Sequence, residues 1–332
     1  MSDMSSLVVC GAVNWDTTCF VGHLPVPGEE VTVGQITCVS GGTAGNVAVA
    51  AARILGARQV DIIAALGDDE IGGRQVAALE AEGVNCEGVL RIAGQQSGQA
   101  FILVDRSGQN VIASHLGANA ALHPDHVDAS WLGRQLEGCR GIVLTDPPLE
   151  MVKRLIEMGN RRGVPVLWDP GILITANRDA VHAFAREVAV LFLNEAESCA
   201  LLGADALNTS MRRLQELGVR SRTVLKLGGR GAVMAEPERG MVLEAPALPL
   251  GELGMGVINA VGCGDAFVGA FAAYCALGAG FDRSLLMAGV AAGLNAARPE
   301  TRGSPDRVTL EKTADHAARL GFAFEERGLR QR

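Results

Sequence analysis

Short runs of branched and other apolar residues recur at 7–13, 60–65, 141–145, 164–168, 190–193 and 223–227, each about the length of a strand. Longer segments separate most of them, and at 71–82, 149–162 and 207–217 the apolar residues return at helical spacing. A strand that is apolar throughout has both faces covered. The alternation therefore predicts an α/β class with a mostly parallel sheet and helices on each side. Two regions keep a different rhythm. Residues 30–39 read as an isolated strand, and 99–104 with 110–114 read as a hairpin around Asp105-Arg106-Ser107-Gly108. Both alternate apolar and polar positions, as strands with one wet face do, and predict a small β-rich flap over the main body. After Gly264, Ala, Gly and other small residues dominate, which predicts closely packed helices. Neither a solenoid period nor a low-complexity linker interrupts the pattern. The expectation is one domain over 1–332, with flap strands inserted roughly at 14–40 and 95–118.

Composition narrows the partners. A chain of 332 residues with 48% hydrophobic content can bury a large core without staples. A net charge of -8 argues against a nucleic-acid protein. The eight cysteines include no C-x-x-C pair, which excludes zinc-ribbon and thioredoxin-like readings, and scattered thiols suit the cytoplasm. No Lys or Arg precedes the apolar run at 7–13, so no secretory signal is read there. The most membrane-like stretch, 266–281, is shorter than the roughly 18 residues of a spanning helix and is bracketed by Asp265 and Asp282. A membrane partner is not expected.

The sharpest chemical signal is Asn259-Ala260-Val261-Gly262-Cys263-Gly264-Asp265, running straight into an apolar helix at 266–277. Gly262 and Gly264 free the backbone so that successive N–H groups converge, and the helix adds the positive end of its dipole. An aspartate beside such an anion hole suits a base that takes the proton of an attacking hydroxyl. Donors for a phosphoryl group and a base for the nucleophile are what phosphoryl transfer needs. The alternative is that Asp265 caps a buried helix.

Three weaker signals accompany it. Gly41-Gly42-Thr43-Ala44-Gly45-Asn46 leads into a helix at 47–55, where Asn46 either bonds a ligand hydroxyl or caps the helix. Asn14 and Asp16 end the first strand two positions apart, so they share a face and suit paired sugar hydroxyls; the alternative is two solvated residues. Asn194-Glu195-Ala196-Glu197 fits both a capping box and a carboxylate holding magnesium through water. The Walker A pattern, a completed dinucleotide fingerprint and G-x-S-x-G are all missing. His123 and His126, flanking Pro124-Asp125, read as a helix start rather than a metal site.

Taken together, these segments resemble the PfkB or ribokinase-like family of carbohydrate kinases, in the family's order, from Val8 to about Gly303. The glycine-rich signature resembles 41–46 with Val47-Ala48-Val49-Ala50-Ala51-Ala52-Arg53, and the D-T-x-G-A-G-D signature resembles 259–265. Gly117-Ala118-Asn119-Ala120-Ala121-Leu122, Asn194 with Ala196-Glu197, and Leu227-Gly228-Gly229-Arg230-Gly231 also match family segments. The resemblance implies a Rossmann-like three-layer fold with a β-lid over a sugar. It implies Asp265 as base and Gly262, Cys263 and Gly264 as anion hole. Asn14, Asp16, Gly41, Gly42 and Asn46 would hold the acceptor. Asn194 and Glu197 would serve magnesium and phosphates, and Gly228, Gly231 and Asn295 would border the nucleotide.

Departures from the family pattern matter. Asn259 stands where the family usually has an Asp that helps bind potassium, so a monovalent-cation site should be weak. Ala260 replaces a usual Thr, Lys226 stands where Thr often precedes Leu-Gly and reads equally as a phosphate contact or a surface lysine, and Thr43 stands where ribokinases often carry Lys. The expected function is ATP- and magnesium-dependent phosphorylation of a hydroxymethyl group on a small sugar or sugar acid. A nucleoside kinase, a non-catalytic sensor on the same scaffold and an oxidoreductase are the alternatives. Pairing of exposed lid strands into a homodimer is the expected assembly.

Overall fold

The computed structural model describes residues 5–107, 109–203, 222–236, 240–323 and 325–328. The helix expected at 207–217 and Gly108 of the hairpin turn lie outside them. The expected strands form a mostly parallel sheet. At its centre β1 (Leu7–Gly11) pairs with β4 (Val60–Gly67), which carries β5 (Val89–Ile92) at one edge. On its other side β1 is followed by β8 (Gly141–Thr145), β9 (Val166–Asp169), β10 (Val190–Asn194) and β11 (Arg222–Lys226), all parallel. Three strands that the sequence pattern did not announce extend this side: antiparallel β12 (Ala232–Glu236), β13 (Met241–Ala245) and β14 (Glu325–Gly328). Their Ala, Met and Glu content is helix-favouring, and pairing with β11 overrides it.

The continuous apolar strands divide their side chains between two cores. Leu7 and Val9 of β1, Ile62 and Ala64 of β4, and Val190 and Phe192 of β10 face one layer. Val8, Cys10, Ile63, Ala65, Leu191 and Leu193 face the other. The first layer holds α1 (Thr43–Leu55), α8 (Cys263–Ala276), α9 (Phe281–Ala296) and α10 (Arg307–Arg319). The second holds α3 (Ala129–Gln135), α4 (Leu149–Arg162), α6 (Arg178–Phe184) and α7 (Glu195–Leu202). Two more helices, α2 (Glu70–Ala81) and α5 (Leu173–Ala176), complete the set among the described residues. The stretch read as most membrane-like is broken between α8 and α9. No helix among the described residues is long and apolar enough to cross a membrane.

The flap is a separate four-stranded sheet in the order β3 (Val33–Gly41), β2 (Asn14–Val21), β6 (Gln99–Val104), β7 (Asn110–His115). Two expectations change here. The strand at 30–39 is not isolated, because it pairs antiparallel with β2 from Asn14↔Gly41 outward. Asn14 and Asp16 do not end the first strand but begin β2, the flap's own strand.

Within the first layer, α1 and α8 cross closely. A Cβ on Gly269 of α8 would lie 2.6 Å from the Val47 carbonyl oxygen and 2.8 Å from the Ala50 Cβ of α1. Only hydrogen fits there, so the two backbones approach closely and their N-termini come side by side. Gly269→Val is expected to lower stability by about 1–3 kcal/mol by overpacking. Urea denaturation at fixed m-value measures it, and an unchanged midpoint would show that the crossing has slack.

Candidate active site

The C-terminal ends of the parallel strands deliver their next residues to one crevice, the position at which open α/β sheets bind ligands. Asp146 follows β8, Asp169 ends β9, Asn194 ends β10 and Lys226 ends β11. Opposite them lies the N-terminus of α8. Gly262 is its N-cap, with φ 78°, and a Cβ there would lie 2.2 Å from the Thr301 carbonyl oxygen. Only glycine can hold that left-handed, crowded position. No side chain caps the first turn of α8, where the Cys263 N–H makes only a long bond, 3.4 Å, to the Ala260 carbonyl.

The helix begins at Cys263, so Asp265 sits in its first turn but caps nothing. Its Oδ2 accepts instead from Asn46 Nδ2 at 2.7 Å. The capping reading of Asn46 fails for the same reason. Helix α1 starts four residues earlier than the sequence suggests, at Thr43, with Gly42 as N-cap, and Asn46 points across to α8. The capping box at Asn194 and Glu197 is real: Asn194 Oδ1 accepts from the Glu197 N–H at 2.8 Å, and Glu197 Oε2 accepts from the Asn194 N–H at 2.7 Å. That bond does not remove Glu197 from the crevice, because Asp169 and Lys226 act on its charge there.

Burial raises the pKa of Asp265, Asp16, Asp146 and Glu197 around this crevice. It lifts Asp265 to about 6, against the Asn46 hydrogen bond that lowers it; Asp169 adds to the rise, while Lys226 and Arg302 oppose it. Asp16, buried in β2, is lifted to about 7 by desolvation, with Arg302 opposing. Asp146, also lifted to about 7, accepts from Thr43 Oγ1 and from the Ile172 N–H, each at 3.1 Å, with its backbone in the left-handed region. The one amine among them, Lys226, forms an ion pair with Asp169 and is kept protonated by Asp169 and Glu197 in spite of burial. Its Nζ lies 3.8 Å from where a Gly264 Cβ would be.

The flap supplies the opposite wall. A Cβ on Gly41 would lie 2.0 Å from Asp16 Oδ2, so this glycine makes room for the carboxylate. Asn14 Oδ1 accepts from Asn119 Nδ2 at 2.9 Å, and Asn119 in turn brackets the Val13 peptide. Asn295 is placed behind the anion site rather than in it: its buried Nδ2 donates to the Val261 carbonyl at 3.1 Å and anchors the loop. Gly228 and Gly231 flank a 3₁₀ turn beyond β11, where the neighbouring Arg230 pairs with Glu195.

Sequence reasoning missed Asp146, Asp169 and Arg302. Asp169 was findable, since it directly follows the predicted strand at 164–168. Asp146 stands likewise after 141–145. Arg302 gave no signal, because an arginine in a Gly-Ser-Pro loop reads as a surface residue. If Asp265 is held as described, its ionised form costs stability. That cost is absent below about pH 4, the unfolded value, and is full above about 6, the folded value. Asp265→Asn is therefore expected to raise stability by about 1–2 kcal/mol at pH 8 and by nothing near pH 4. Thermal melts across that range test it, and equal effects at both ends would contradict the assigned environment.

Comparison with known proteins completes the picture. The model of the pfkB family carbohydrate kinases matches residues 4–307. Ribokinase of Schizosaccharomyces pombe is 28% identical over 280 residues, covering 81% of this chain and 84% of that protein. ATP-dependent ribose-1-phosphate kinase of Halopiger xanaduensis is 28% identical over 304 residues, covering 91% and 95%. The crystal structure of ribokinase from Thermotoga maritima superposes with a TM-score of 0.80 at 25% identity, over 94% of this chain and all of that one.

Proposed function

We propose a mechanism and an acceptor class for this chain, which belongs to the pfkB family of carbohydrate kinases and is a sugar kinase. The donor is ATP, and the acceptor is a hydroxymethyl group of a small sugar or sugar derivative. The observation that carries the reading is the pairing of the open α8 N-terminus with an uncapped, hydrogen-bonded Asp265 in one crevice.

The amides of Gly262, Cys263 and Gly264, with the helix dipole, stabilise charge on the transferring phosphoryl group. Lys226, protonated and close to Gly264, adds a positive charge on the same side. Asp265 accepts the hydroxyl proton late in the transfer, because a loose transition state needs charge stabilisation more than a strong base. Its pKa of about 6 keeps it ionised at neutral pH and leaves it a usable base. Asn14 and Asp16, on one face of β2, bind the acceptor's other hydroxyls, with Gly41 and Gly42 allowing the sugar close to the main chain. The flap over them excludes water and favours transfer over hydrolysis. Asn194, Gly228 and Gly231 border the nucleotide, with Asn295 holding the loop in place behind them.

Among the described residues, no group of three or more His, Cys, Asp and Glu side chains is arranged to hold a metal alone. Glu197 and Asp169 nevertheless give hard oxygen donors beside the anion site, and the Asp169 charge that raises the Glu197 pKa is one a cation would relieve. Magnesium carried mainly by the nucleotide phosphates, with Glu197 reached through water, fits that donor set and would draw charge from the phosphate oxygens. A monovalent-cation site fits poorly. Asn259 is neutral, its Nδ2 donates to the Pro299 carbonyl and its Oδ1 accepts from the Val261 N–H, each at 3.0 Å.

A nucleoside as acceptor remains the second reading in this fold. A panel of ribose, fructose, ketodeoxygluconate, ribose 1-phosphate, adenosine and inosine, followed by ADP release, separates the two. Asp265→Asn is expected to lower kcat by about 10²–10⁴-fold, in the range for loss of a general base, with nucleotide binding retained. Near-full turnover would remove Asp265 from the mechanism.

The chain is taken as one catalytic unit whose flap also mediates assembly. Ile36, Phe101 and Val111 share one face of the flap and are 60%, 45% and 55% exposed. Burying that face against a second copy makes a homodimer. Ile36→Asp is then expected to give monomers in sedimentation at micromolar concentration, where the parent chain is dimeric; a monomeric parent chain contradicts this.

A further inference from the structure

The loop between α9 and α10 places Arg302 under the N-terminus of α1, and four observations give it a task. Its Nε donates to Asn46 Oδ1 at 2.8 Å, and its terminal nitrogen donates to the Gly41 carbonyl at 3.2 Å. Asn46 Nδ2 donates in turn to Asp265 Oδ2 at 2.7 Å. Room for the guanidinium comes from Gly45, where a Cβ would lie 2.6 Å from an Arg302 terminal nitrogen. The loop itself is clamped by Arg53, which donates to the Arg302 carbonyl at 2.7 Å and the Ser304 carbonyl at 2.5 Å while its other nitrogens grip Glu82 at 2.8 and 2.7 Å.

We propose that Arg302 is a positioning residue, acting through Asn46 to aim an amide N–H at Asp265 and keep that carboxylate ionised and turned toward the acceptor. The inference rests on Asp265 being the base. The logic is one of donors and acceptors. A guanidinium can only donate, so Asn46 must present its oxygen to Arg302. Its NH₂ group then has to face Asp265, and the other amide orientation is excluded. A carboxylate accepts from that NH₂ and a charged acceptor strengthens the bond.

Other charges also face this pair. Asp265 sees Asp146, Asp169 and Lys226 from the strand ends, Asp16 from the flap and Cys263 from its own helix, and Arg302 sees Asp16, Glu82, Arg53 and Asp265. Asp16 and Asp265 come from opposite ends of the sequence and share the one guanidinium. Without it, Asp265 faces Asp16, Asp146 and Asp169 with Asn46 and Lys226 left in opposition, and protonation of Asp265 becomes easier. The sign is therefore fixed: loss of Arg302 moves the acid limb of activity upward in pH.

The test is the pH dependence of kcat/KM with ATP and the best acceptor from the panel. For Arg302→Met the acid limb is expected to rise by about one pH unit, so that the loss at pH 6 exceeds the loss at pH 8.5 by about fivefold. Arg302→Lys, which keeps the charge, should recover part of the shift. Gly45→Ala keeps Arg302 but displaces the end of its side chain, and should shift the limb in the same direction. It answers the question even if Arg302→Met fails to fold. In an Asn46→Ala background, Arg302→Met should add less than it does alone. A loss of equal size at every pH, or a full shift added on top of Asn46→Ala, overturns the relay. If Asp265→Asn keeps near-full turnover, the assignment of the base falls and the relay with it. An inactive Asp265→Asn beside an unshifted Arg302→Met overturns the relay alone.

Discussion

The close crossing of α1 and α8 is the constraint from which the site follows. Gly269 lets α8 lie against the backbone of α1 at Val47, and small residues on both helices fill the contact. One of the two helices starts within the glycine-rich segment at 41–46, and the other starts at Cys263, within 262–265. Bringing the two N-termini together sets two positive dipole ends beside one another, a concentration of charge that suits a phosphoryl group. It also closes the 2.7 Å bond between Asn46 and Asp265. Residues 219 positions apart thus become one chemical unit through a packing choice made about one turn along the helices.

The second constraint is electrostatic. Asp16, Asp146 and Asp265 are all lifted well above the ordinary carboxylate range by burial. A core would avoid such groups. Lys226 and Arg302 offset part of their cost, and a functional site is where such a cost is tolerated. The two cations divide the crevice. Lys226 is held by Asp169 and Arg302 by the Gly41 carbonyl and Asn46, so that in the proposed mechanism the first stands on the phosphate side and the second under the acceptor.

Much of the fold was legible because two-faced burial writes itself as unbroken apolar runs. The strand at 141–145 and the helix at 149–162 coincide with β8 and α4 residue for residue. The flap was legible through alternation, although β2 was not seen as a strand of its own, since Asn14 and Asp16 read as the end of the first strand. Strands β12 and β13 escaped because their composition favours helix and only pairing with β11 makes them strands. In the site, the glycine-flanked Asp265 could be found from spacing alone, and its partner Asn46 could be named, but each also read as a helix cap. Only the register of the two helix starts removes that alternative. Arg302 could not be found, because what makes it important is the space at Gly45 and the clamp from Arg53, and both are tertiary.

The central claim is that the open first turn of α8 receives the terminal phosphate beside Asp265. A crystal structure of the chain with a non-hydrolysable ATP analogue and a sugar acceptor addresses it most directly. The account predicts the terminal phosphate within hydrogen-bond distance of the Gly262 to Gly264 amides, with an acceptor hydroxyl between it and Asp265. Phosphates bound away from that turn, or an acceptor hydroxyl out of reach of Asp265, would contradict it.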